Sequence, residues 1–380
     1  MQSEMDSPPV IEKLFTIGSG RDRNEPSPVL NINCVGNTDH RDVVVHRTLY
    51  LAMLGCETKD PYGPLTHTAQ LFVDMLGMAA IKAYEILGTE NDDDDDDSKA
   101  DTACFRPIRI RIDIYNAQQM EYPRKDRWNT YDGFLIPGSF AAAYNTDPWI
   151  ETLKQMIQIE IVPHRRKTLG ICFGHQVMAH SFSISTKTAI PITNVNANDN
   201  DCTGRAVATP SGPRAGRFRM PLTSVGCALL QPSNAMAPND QDHTTVQLYY
   251  THGDMVETIP NVAVNLGGDS TVPIQSVAYF ATSQDADQYR NHVVGTTNME
   301  SLRRILPYSV TMQAHPEYST SMELGVHRTL LQCMEAMEGR RPQRPDTDIR
   351  SRDDAIENFP QVQNDSIAMV AKIGRLFGWF

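Results

Sequence analysis

Residues 168–176 read TLGICFGHQ and place Cys172 between two glycines, where a short apolar strand meets the start of a helix. A cysteine on such a turn has a strained backbone, and flanking side chains would collide, so Gly170 and Gly174 are needed there. The turn raises the Cys172 sulfur above the sheet, and the positive end of the helix dipole favours the thiolate. We therefore predict a reactive thiol on a strand–helix turn. The alternative is a buried strand cysteine beside two incidental glycines.

A histidine and a glutamate follow the predicted strand Ser309–Met312, within residues 313–317, which read QAHPE. Residues two apart in extended backbone point to the same side, so His315 and Glu317 can lie together at the end of the strand. A carboxylate that orients an imidazole forms the base that a nucleophile needs. Taken alone, the pair favours a surface loop around a proline. Taken with Cys172, it predicts a Cys–His–Glu catalytic arrangement.

Apolar strands alternate with amphipathic helices on both sides of this central turn. Asp147 and Pro148 mark a helix start, with the aspartate as N-cap and the proline at the first helical position. Strands are predicted at residues 47–54, 108–114, 131–136, 168–171, 246–250, 274–280 and 309–312, and further helices at 71–84, 174–180, 321–337 and 367–377. The alternation is typical of a mainly parallel central sheet flanked by helices, so we predict an α/β fold with a single catalytic domain.

Composition divides the chain into one domain and several polar segments. Residues 1–46 are rich in Ser, Pro, Asn and Asp without a sustained apolar period, so we expect a mobile N-terminal extension. The domain is predicted to cover residues 47–338, with an acidic insertion at 89–103 that carries six consecutive aspartates and an irregular segment at 192–245. Residues 339–380 are predicted to form a polar linker and a C-terminal amphipathic helix.

Bulk composition narrows the classes of function. The 380 residues carry a formal net charge of -12, and clustered basic residues are scarce, so surfaces for nucleic acid or acidic membranes are disfavoured. Seven cysteines without a CxxC pair argue against a disulfide framework and for a reducing compartment. The N-terminus lacks a signal peptide and no apolar run could span a membrane, so we expect a cytoplasmic protein. No motif implies a metal or a cofactor, and we expect neither.

Four ordered segments resemble the class I glutamine amidotransferase family, and they read TLGICFGHQ, QAHPEY, YDGFLIPGS with DPWI, and THGDMV. The resemblance spans residues 47–337 and looks especially like stand-alone members such as γ-glutamyl peptidases. It implies a flavodoxin-like three-layer fold. It also implies that Cys172 attacks the γ-carbonyl of a glutamyl group to form a thioester, while His315 transfers the proton and Glu317 holds His315.

The same resemblance implies residues that bind the substrate. Backbone N–H groups of Gly138 and Phe173 would meet the oxyanion of the reacting carbonyl. Gln176 would line the substrate pocket. His252 and Asp254 match a His-x-Asp segment that lies near the glutamyl backbone in the family. A loop histidine and an exposed aspartate are the alternative for these two residues.

Several functions are compatible with such a site. We expect a stand-alone hydrolase or transferase acting on glutamine or a γ-glutamyl peptide, because fewer than about 50 residues follow the matched region, too few for an acceptor domain. Alternatively, a glutaminase subunit would deliver ammonia to a separate synthetase partner, or a catalytically silent relative would bind or regulate another protein. A different cysteine fold would pair Cys172 with the neighbouring His175, and the distant His315 disfavours it.

Overall fold

The computed structural model describes residues 7–17, 33–34, 47–90, 106–183, 203–230, 244–292, 305–338 and 348–380. Its strands are β1 (Val10–Ile17), β2 (Asn33–Cys34), β3 (Arg47–Gly55), β4 (Arg106–Asn116), β5 (Gly133–Ile136), β6 (Thr168–Ile171), β7 (Arg205–Ala208), β8 (Arg214–Pro221), β9 (Thr245–His252), β10 (Asp254–Thr258), β11 (Ala263–Gly267), β12 (Ser276–Tyr279), β13 (Ser309–Met312) and β14 (Asp348–Ile349). Its helices are α1 (Leu65–Glu90), α2 (Pro148–Met156), α3 (Phe173–His180), α4 (Ser224–Leu230), α5 (Ser283–His292), α6 (Leu331–Glu338), α7 (Arg352–Glu357) and α8 (Phe359–Leu376). The segment Met322–Leu330 is a π-helix that leads directly into α6.

Nine of the described strands form one sheet, in the order β11-β12-β13-β6-β5-β3-β4-β1-β2. The five strands from β13 to β4 run parallel to one another. The strands toward both edges pair antiparallel. The prediction of a mainly parallel central sheet in an α/β fold is confirmed. Because β6 and β13 are parallel neighbours, the residues that follow these two strands meet at the same edge of the sheet.

Helices cover both faces of the central sheet. On β3, Leu49, Leu51 and Met53 pack in one core with α1 and α8, whereas Ala52 and Leu54 pack in a second core with α2 and α3. Successive side chains of a strand point to opposite faces, so a strand between two helical layers needs a continuous apolar run. The molecule therefore has three layers. None of the described helices is long and apolar enough to cross a membrane.

The strand β1 corrects one prediction about the N-terminal segment. Residues 1–46 were expected to be a mobile extension, yet Val10–Ile17 pair antiparallel with β4 along their whole length. The alternation of apolar residues in β1 is not visible in the sequence, because the charged Lys13 lies on the same buried face as Phe15. The Lys13 ammonium lies 2.6 Å from a carboxylate oxygen of Asp74 on α1, and this pairing offsets the cost of burying the charge. Most of the remaining extension lies outside the described residues.

Three other boundaries also differ from the predictions. The segment at 192–245 was predicted to be irregular but contains β7, the eight-residue strand β8 and α4, and three arginines in β8 obscure its apolar alternation. The C-terminal helix starts at Phe359, inside the predicted linker, with Pro360 in its first turn. Helix α1 continues past Gly88 to Glu90, and the rest of the predicted acidic insertion lies outside the described residues.

Strands β8 and β9 belong to a separate three-stranded sheet, in the order β14-β8-β9. Strands β8 and β9 pair from Arg214 opposite His252 to Pro221 opposite Thr245. Near the end of β9, the carbonyl of Tyr249 accepts a hydrogen bond of 2.8 Å from the backbone N–H of His315. Strand β9 is thus tied to the segment that follows β13.

Candidate active site

Cys172 occupies the turn between β6 and α3 with φ 52° and ψ -105°. This left-handed φ is uncommon for a residue with a side chain and marks a strained backbone. The Cys172 N–H donates to the carbonyl of Met312 over 2.8 Å, which ties the turn to β13. The Cys172 carbonyl accepts from the N–H groups of His175 and Gln176, which begin α3. The turn is therefore held from both sides, by β13 and by the start of α3.

The two glycines that flank Cys172 are required by close packing. A Cβ on Gly170 would lie 2.8 Å from the Thr311 methyl group on β13. A Cβ on Gly174 would overlap the carbonyl oxygen of Ile136 at the end of β5. The glycine at 174 thus lets α3 approach the sheet, and the glycine at 170 lets β6 lie against β13.

His315 and Glu317 follow β13 and lie together in the interior. His315 Nδ1 is 2.7 Å from Glu317 Oε1, and both side chains are buried. The ring of Tyr318 stacks on the imidazole with 4.3 Å between centroids and 6° between planes. The orientation of the imidazole is therefore fixed by the hydrogen bond to Glu317 and by stacking against Tyr318.

The proton balance of His315 depends on its neighbours. Burial alone would lower the pKa of His315, but the charges of Glu317 and of the Cys172 sulfur favour the imidazolium and raise the pKa to about 10. Glu317 occupies the Nδ1 edge, and the buried Nε2 has no hydrogen-bond partner among the described residues. Nε2 is thus the ring nitrogen that Glu317 leaves for a second partner.

Two further groups surround the Cys172 sulfur. Gln313 donates its Nε2 to the sulfur at 3.5 Å, and its Oε1 accepts from Gln176 Nε2 at 3.2 Å. The Cys172 thiol faces the carbonyl oxygen of Thr251 at 3.8 Å. The sequence analysis assigned no role to Gln313. Gln313 directly follows β13 and stands two residues before His315, so in extended backbone the two side chains point to the same side. This spacing is the signal that could have identified Gln313 as a site residue.

Gln176, His252 and Asp254 meet at one backbone oxygen. The carbonyl of Asp254 accepts from Gln176 Nε2 at 3.0 Å and from His252 Nδ1 at 2.9 Å. Burial, helped by the positive charge of Arg214, lowers the pKa of His252 to about 3, so this imidazole is neutral. Because Nδ1 carries the donated proton, the buried Nε2 of His252 is an acceptor, and it has no partner among the described residues.

The Asp254 carboxylate is partly exposed, whereas Gln176 and His252 are buried. Its Oδ1 accepts a hydrogen bond of 2.8 Å from the hydroxyl of Tyr144, which is partly exposed. Burial raises the pKa of Asp254, while the Tyr144 hydrogen bond opposes that shift. Asp254 thus offers a half-buried carboxylate, rather than the exposed loop aspartate that was the alternative.

Gly138 lies in the loop after β5, beside His315. A Cβ on Gly138 would be 3.0 Å from His315 Cε1, so a larger residue would press on the imidazole. Buried Glu57, after β3, holds this loop because its Oε2 accepts from the Ser139 hydroxyl and the Phe140 N–H, each at 3.2 Å. Its Oε1 accepts from the N–H groups of the next two residues, at 3.0 and 3.1 Å. Glu57 therefore links two loops, a role that no local sequence pattern indicated.

His175 is engaged away from the sulfur. Its Nε2 lies 3.3 Å from the carbonyl of Ile274, and its Nδ1 lies 2.8 Å from the hydroxyl of Thr311. A carbonyl can only accept, so Nε2 carries the proton and Nδ1 accepts from the threonine. Burial lowers the pKa of His175 to about 4. Both ring nitrogens are thereby used in packing α3 on the sheet, which disfavours pairing of His175 with Cys172.

The predicted residues therefore lie around one edge of the sheet. Cys172 and the first residue of α3, Phe173, follow β6, and His315 with Glu317 follows the adjacent β13. Gly138 approaches from the loop after β5. Within the described part of the chain, no group of three or more His, Cys, Asp and Glu side chains is arranged to hold a metal ion.

Comparison with known proteins identifies related sequences and structures. The family model described as glutamine amidotransferase class-I matches residues 99–325. Gamma-glutamyl peptidase 5 of Arabidopsis thaliana is 37% identical over 67 residues, which are 18% of this chain and 26% of that protein. Gamma-glutamyl peptidase 2 of the same plant is 35% identical over 66 residues, 17% of this chain and 26% of that protein. The chain thus spans about a quarter of the length of these curated relatives.

Solved structures of low sequence identity also align with the chain. A glutamine amidotransferase from Thermotoga maritima is 12% identical with a TM-score of 0.47, and the alignment covers 86% of this chain and 98% of that one. A glutamine amido transferase from Methylobacillus flagellatus is 12% identical with a TM-score of 0.46, and the alignment covers 87% and 95% of the two chains.

Proposed function

Because this chain belongs to the class-I glutamine amidotransferase family, we propose that it is a cysteine hydrolase or transferase that cleaves a γ-glutamyl amide. One observation carries the proposal. Cys172 lies on a strained turn at the end of β6, and the adjacent parallel strand β13 is followed by His315, which is 2.7 Å from Glu317. A nucleophile, a base and an orienting carboxylate on neighbouring strand ends are the groups that acyl transfer needs.

The proposed reaction begins with attack of the Cys172 sulfur on the γ-carbonyl carbon. A C–S bond forms, the proton of the thiol resides on His315, and the carbonyl electron pair moves to the oxygen. Backbone N–H groups of Gly138 and Phe173 stabilise this oxyanion, and each such donor lowers the barrier by about 3–4 kcal/mol. Collapse of the intermediate breaks the C–N bond, and His315 gives its proton to the leaving nitrogen.

The second half of the reaction releases the product. His315 takes a proton from water while the water oxygen attacks the thioester, and collapse breaks the C–S bond. The products are glutamate and the regenerated thiol. In a transferase, an amine takes the place of water, with the same proton transfers. The raised pKa of His315 suits the first half, because a protonated imidazole is ready to donate to the leaving group.

The substrate class follows from the relatives and from the polar group beside the thiol. The two curated relatives from Arabidopsis thaliana are named γ-glutamyl peptidases, which favours a γ-glutamyl peptide over free glutamine. In this proposal the Asp254 carboxylate pairs with the α-ammonium group of the glutamyl residue. The neutral His252, whose Nε2 can accept a hydrogen bond, and Gln176 hold the adjoining polar atoms.

Glutamate release from glutamine and from γ-glutamyl dipeptides tests the proposal. We expect the wild-type chain to release glutamate from a dipeptide and Cys172→Ala to abolish the release. Cys227→Ala is the matched control, because Cys227 is a free, partly exposed cysteine on α4 and should be dispensable. Undiminished release by Cys172→Ala would overturn the assignment. Glutamine hydrolysis that appears only when a synthetase is added would favour an ammonia-delivering subunit instead.

A further inference from the structure

An arginine-lined cleft of about 580 Å³ borders strand β8. We call it the arginine cleft, and its wall contains Arg214, Arg217, Arg219 and Arg350 around the ring of Phe218. Among the described residues, β14 pairs with β8 at Arg214 and Ala215, and residues 217–219 farther along β8 line the cleft. The lining includes none of the residues assigned above to the reaction.

Two of the arginines converge on one aromatic ring. The guanidinium carbons of Arg214 and Arg350 lie 4.1 and 4.8 Å from the centroid of Phe218. Gly216 makes this approach feasible, because its φ is +115° and a Cβ there would lie 2.7 Å from Arg350 Cβ. The backbone N–H of Arg350 also donates to the carbonyl of Ala215 at 2.9 Å. The local backbone therefore brings the two cations together at a fixed place.

Within the described part of the chain, each of these two guanidiniums is paired through only some of its N–H groups. Arg214 is 3% exposed, and its Nη1 donates to Asp269 at 2.8 Å. Its Nε has no hydrogen-bond partner among the described residues and lies 3.7 Å from Asp348. Arg350 is half-exposed, and its Nε shares the same aspartate at 3.2 Å. Arg214 Nε is itself closed to solvent, but a negative charge beside the exposed guanidinium of Arg350 would also stabilise the nearby Arg214 cation.

Arg217 is different, because its donors are already occupied. Its Nε and Nη2 bind the two carboxylate oxygens of Asp354 at 2.9 and 2.6 Å, and its Nη1 binds Gln247 at 2.5 Å. This pairing fixes Arg217 as part of the wall. The donors available to a ligand thus belong mainly to Arg214 and Arg350.

We propose that the arginine cleft binds a small organic acid through a single carboxylate, held between Arg214 and Arg350. Planar guanidinium groups match a carboxylate through paired N–H···O bonds. The wall holds four arginines and three aspartates, a net of one positive charge, which one carboxylate balances and a phosphate dianion overcompensates. The cavity volume suits a small organic ligand. Binding there does not depend on the Cys172 chemistry.

The test titrates the full chain with benzoate, lactate and inorganic phosphate by calorimetry, with chloride used to keep the ionic strength constant. We expect one saturable site for at least one of the two carboxylates and weaker binding of phosphate. Arg350→Ala should weaken carboxylate binding roughly tenfold or more, because a charged hydrogen-bond donor is lost. Arg350 is 53% exposed in its side chain, so the variant should fold.

Arg124→Ala is the control, because Arg124 is an exposed arginine that pairs with Asp126 outside the cleft. It should leave carboxylate binding unchanged. Absence of saturable binding by both carboxylates would overturn the proposal, as would equal binding by the Arg350→Ala and wild-type chains. Tighter binding of phosphate than of either carboxylate would overturn the choice of ligand class.

Discussion

At the scale of single residues, Glu317 engages Nδ1 of His315, and in the proposed mechanism this leaves Nε2 to exchange the proton. Its carboxylate accepts the Nδ1 proton at 2.7 Å in a buried setting and stabilises the imidazolium. Glu317→Gln keeps the shape but removes the charge, so we expect kcat on a γ-glutamyl dipeptide to fall about 10²–10⁴-fold, as happens when the orienting acid of a triad is neutralised. Steady-state kinetics measures the effect, and KM should change far less than kcat.

The matched control for this change is Glu323→Gln. Glu323 is exposed on the helical segment that follows, and its neutralisation should leave kcat unchanged. A Glu317→Gln enzyme with full kcat would remove Glu317 from the proposed mechanism while leaving the nucleophile untested.

The raised pKa of His315 makes stability depend on pH. The folded protein holds its proton up to a pKa of about 10, whereas the unfolded chain releases it near 6.5. This stabilisation is complete below pH 6.5 and is lost as pH rises toward 10. We expect the free energy of unfolding in urea to fall across that window by up to about 1.4 kcal/mol per pH unit. His315→Gln should show a shallower fall, and equal slopes for the two chains would contradict the raised pKa.

Site residues that stand in short sequence motifs could be predicted from the sequence. Contacts between residues far apart in the chain could not. Cys172, His315 and Glu317 stand within short motifs whose spacing carries their geometry, although their catalytic roles stay predictions. Glu57 acts on a loop more than 80 residues away, so no local period marks it. The contact between Gln176 and His252 runs through a backbone carbonyl, which a side-chain pattern does not encode.

At the scale of elements, the close contact of α3 with β5 sets the position of the turn that carries Cys172. A methyl group at Gly174 would overlap the Ile136 carbonyl oxygen, so α3 would have to move away from the sheet. Gly174→Ala should therefore destabilise the fold by about 1–3 kcal/mol, the usual cost of overpacking, despite alanine's better helix propensity. Urea unfolding measures the loss.

Gly253→Ala is the natural control for this substitution. Gly253 lies between β9 and β10, and a Cβ there would meet no atom within 4 Å. Its replacement should change the unfolding midpoint little. If Gly174→Ala were as stable as Gly253→Ala, the packing of α3 would not be what fixes Cys172.

Strands were predicted correctly where a continuous apolar run marked them in the sequence. Strands β3, β6 and β13 have apolar residues on both faces, and the sequence located them within one residue of their ends. Strand β1 was missed because its inward Lys13 is neutralised by Asp74, a partner on another element. The start of α8 was missed because polar residues on its exposed face resemble a linker.

At the scale of the whole molecule, the C-terminal helix α8 joins three parts of the fold. Gln363 donates to the carbonyl of Ser319, in the turn after Glu317, at 2.8 Å. Asp365 accepts from the backbone N–H of Gln247 on β9 at 2.8 Å. The helix also packs with α1 in the core beneath the sheet. The segment predicted as a linker and a C-terminal amphipathic helix is therefore part of the framework around the candidate site.

Trp379, just after α8, completes this framework. Its ring is fully buried, its Nε1 donates to the carbonyl of Asp132 at 3.1 Å, and it fills the space beside Gly133, where a Cβ would overlap the indole. Trp379→Ala should lower the free energy of unfolding by about 3–5 kcal/mol, the usual cost of deleting a buried aromatic ring. Urea unfolding of the full chain measures the change.

Trp379→Phe is the matched control, because it shows whether the loss of stability follows the lost ring volume or accompanies any substitution of Trp379. It keeps an aromatic ring but loses the hydrogen bond to Asp132 and part of the volume, so its loss of stability should be clearly smaller than that of Trp379→Ala. Because α8 also contacts the turn after Glu317, Trp379→Ala should reduce glutamate release as well as stability. An alanine variant with the wild-type unfolding midpoint would show that the C-terminal segment is not an integral part of the core.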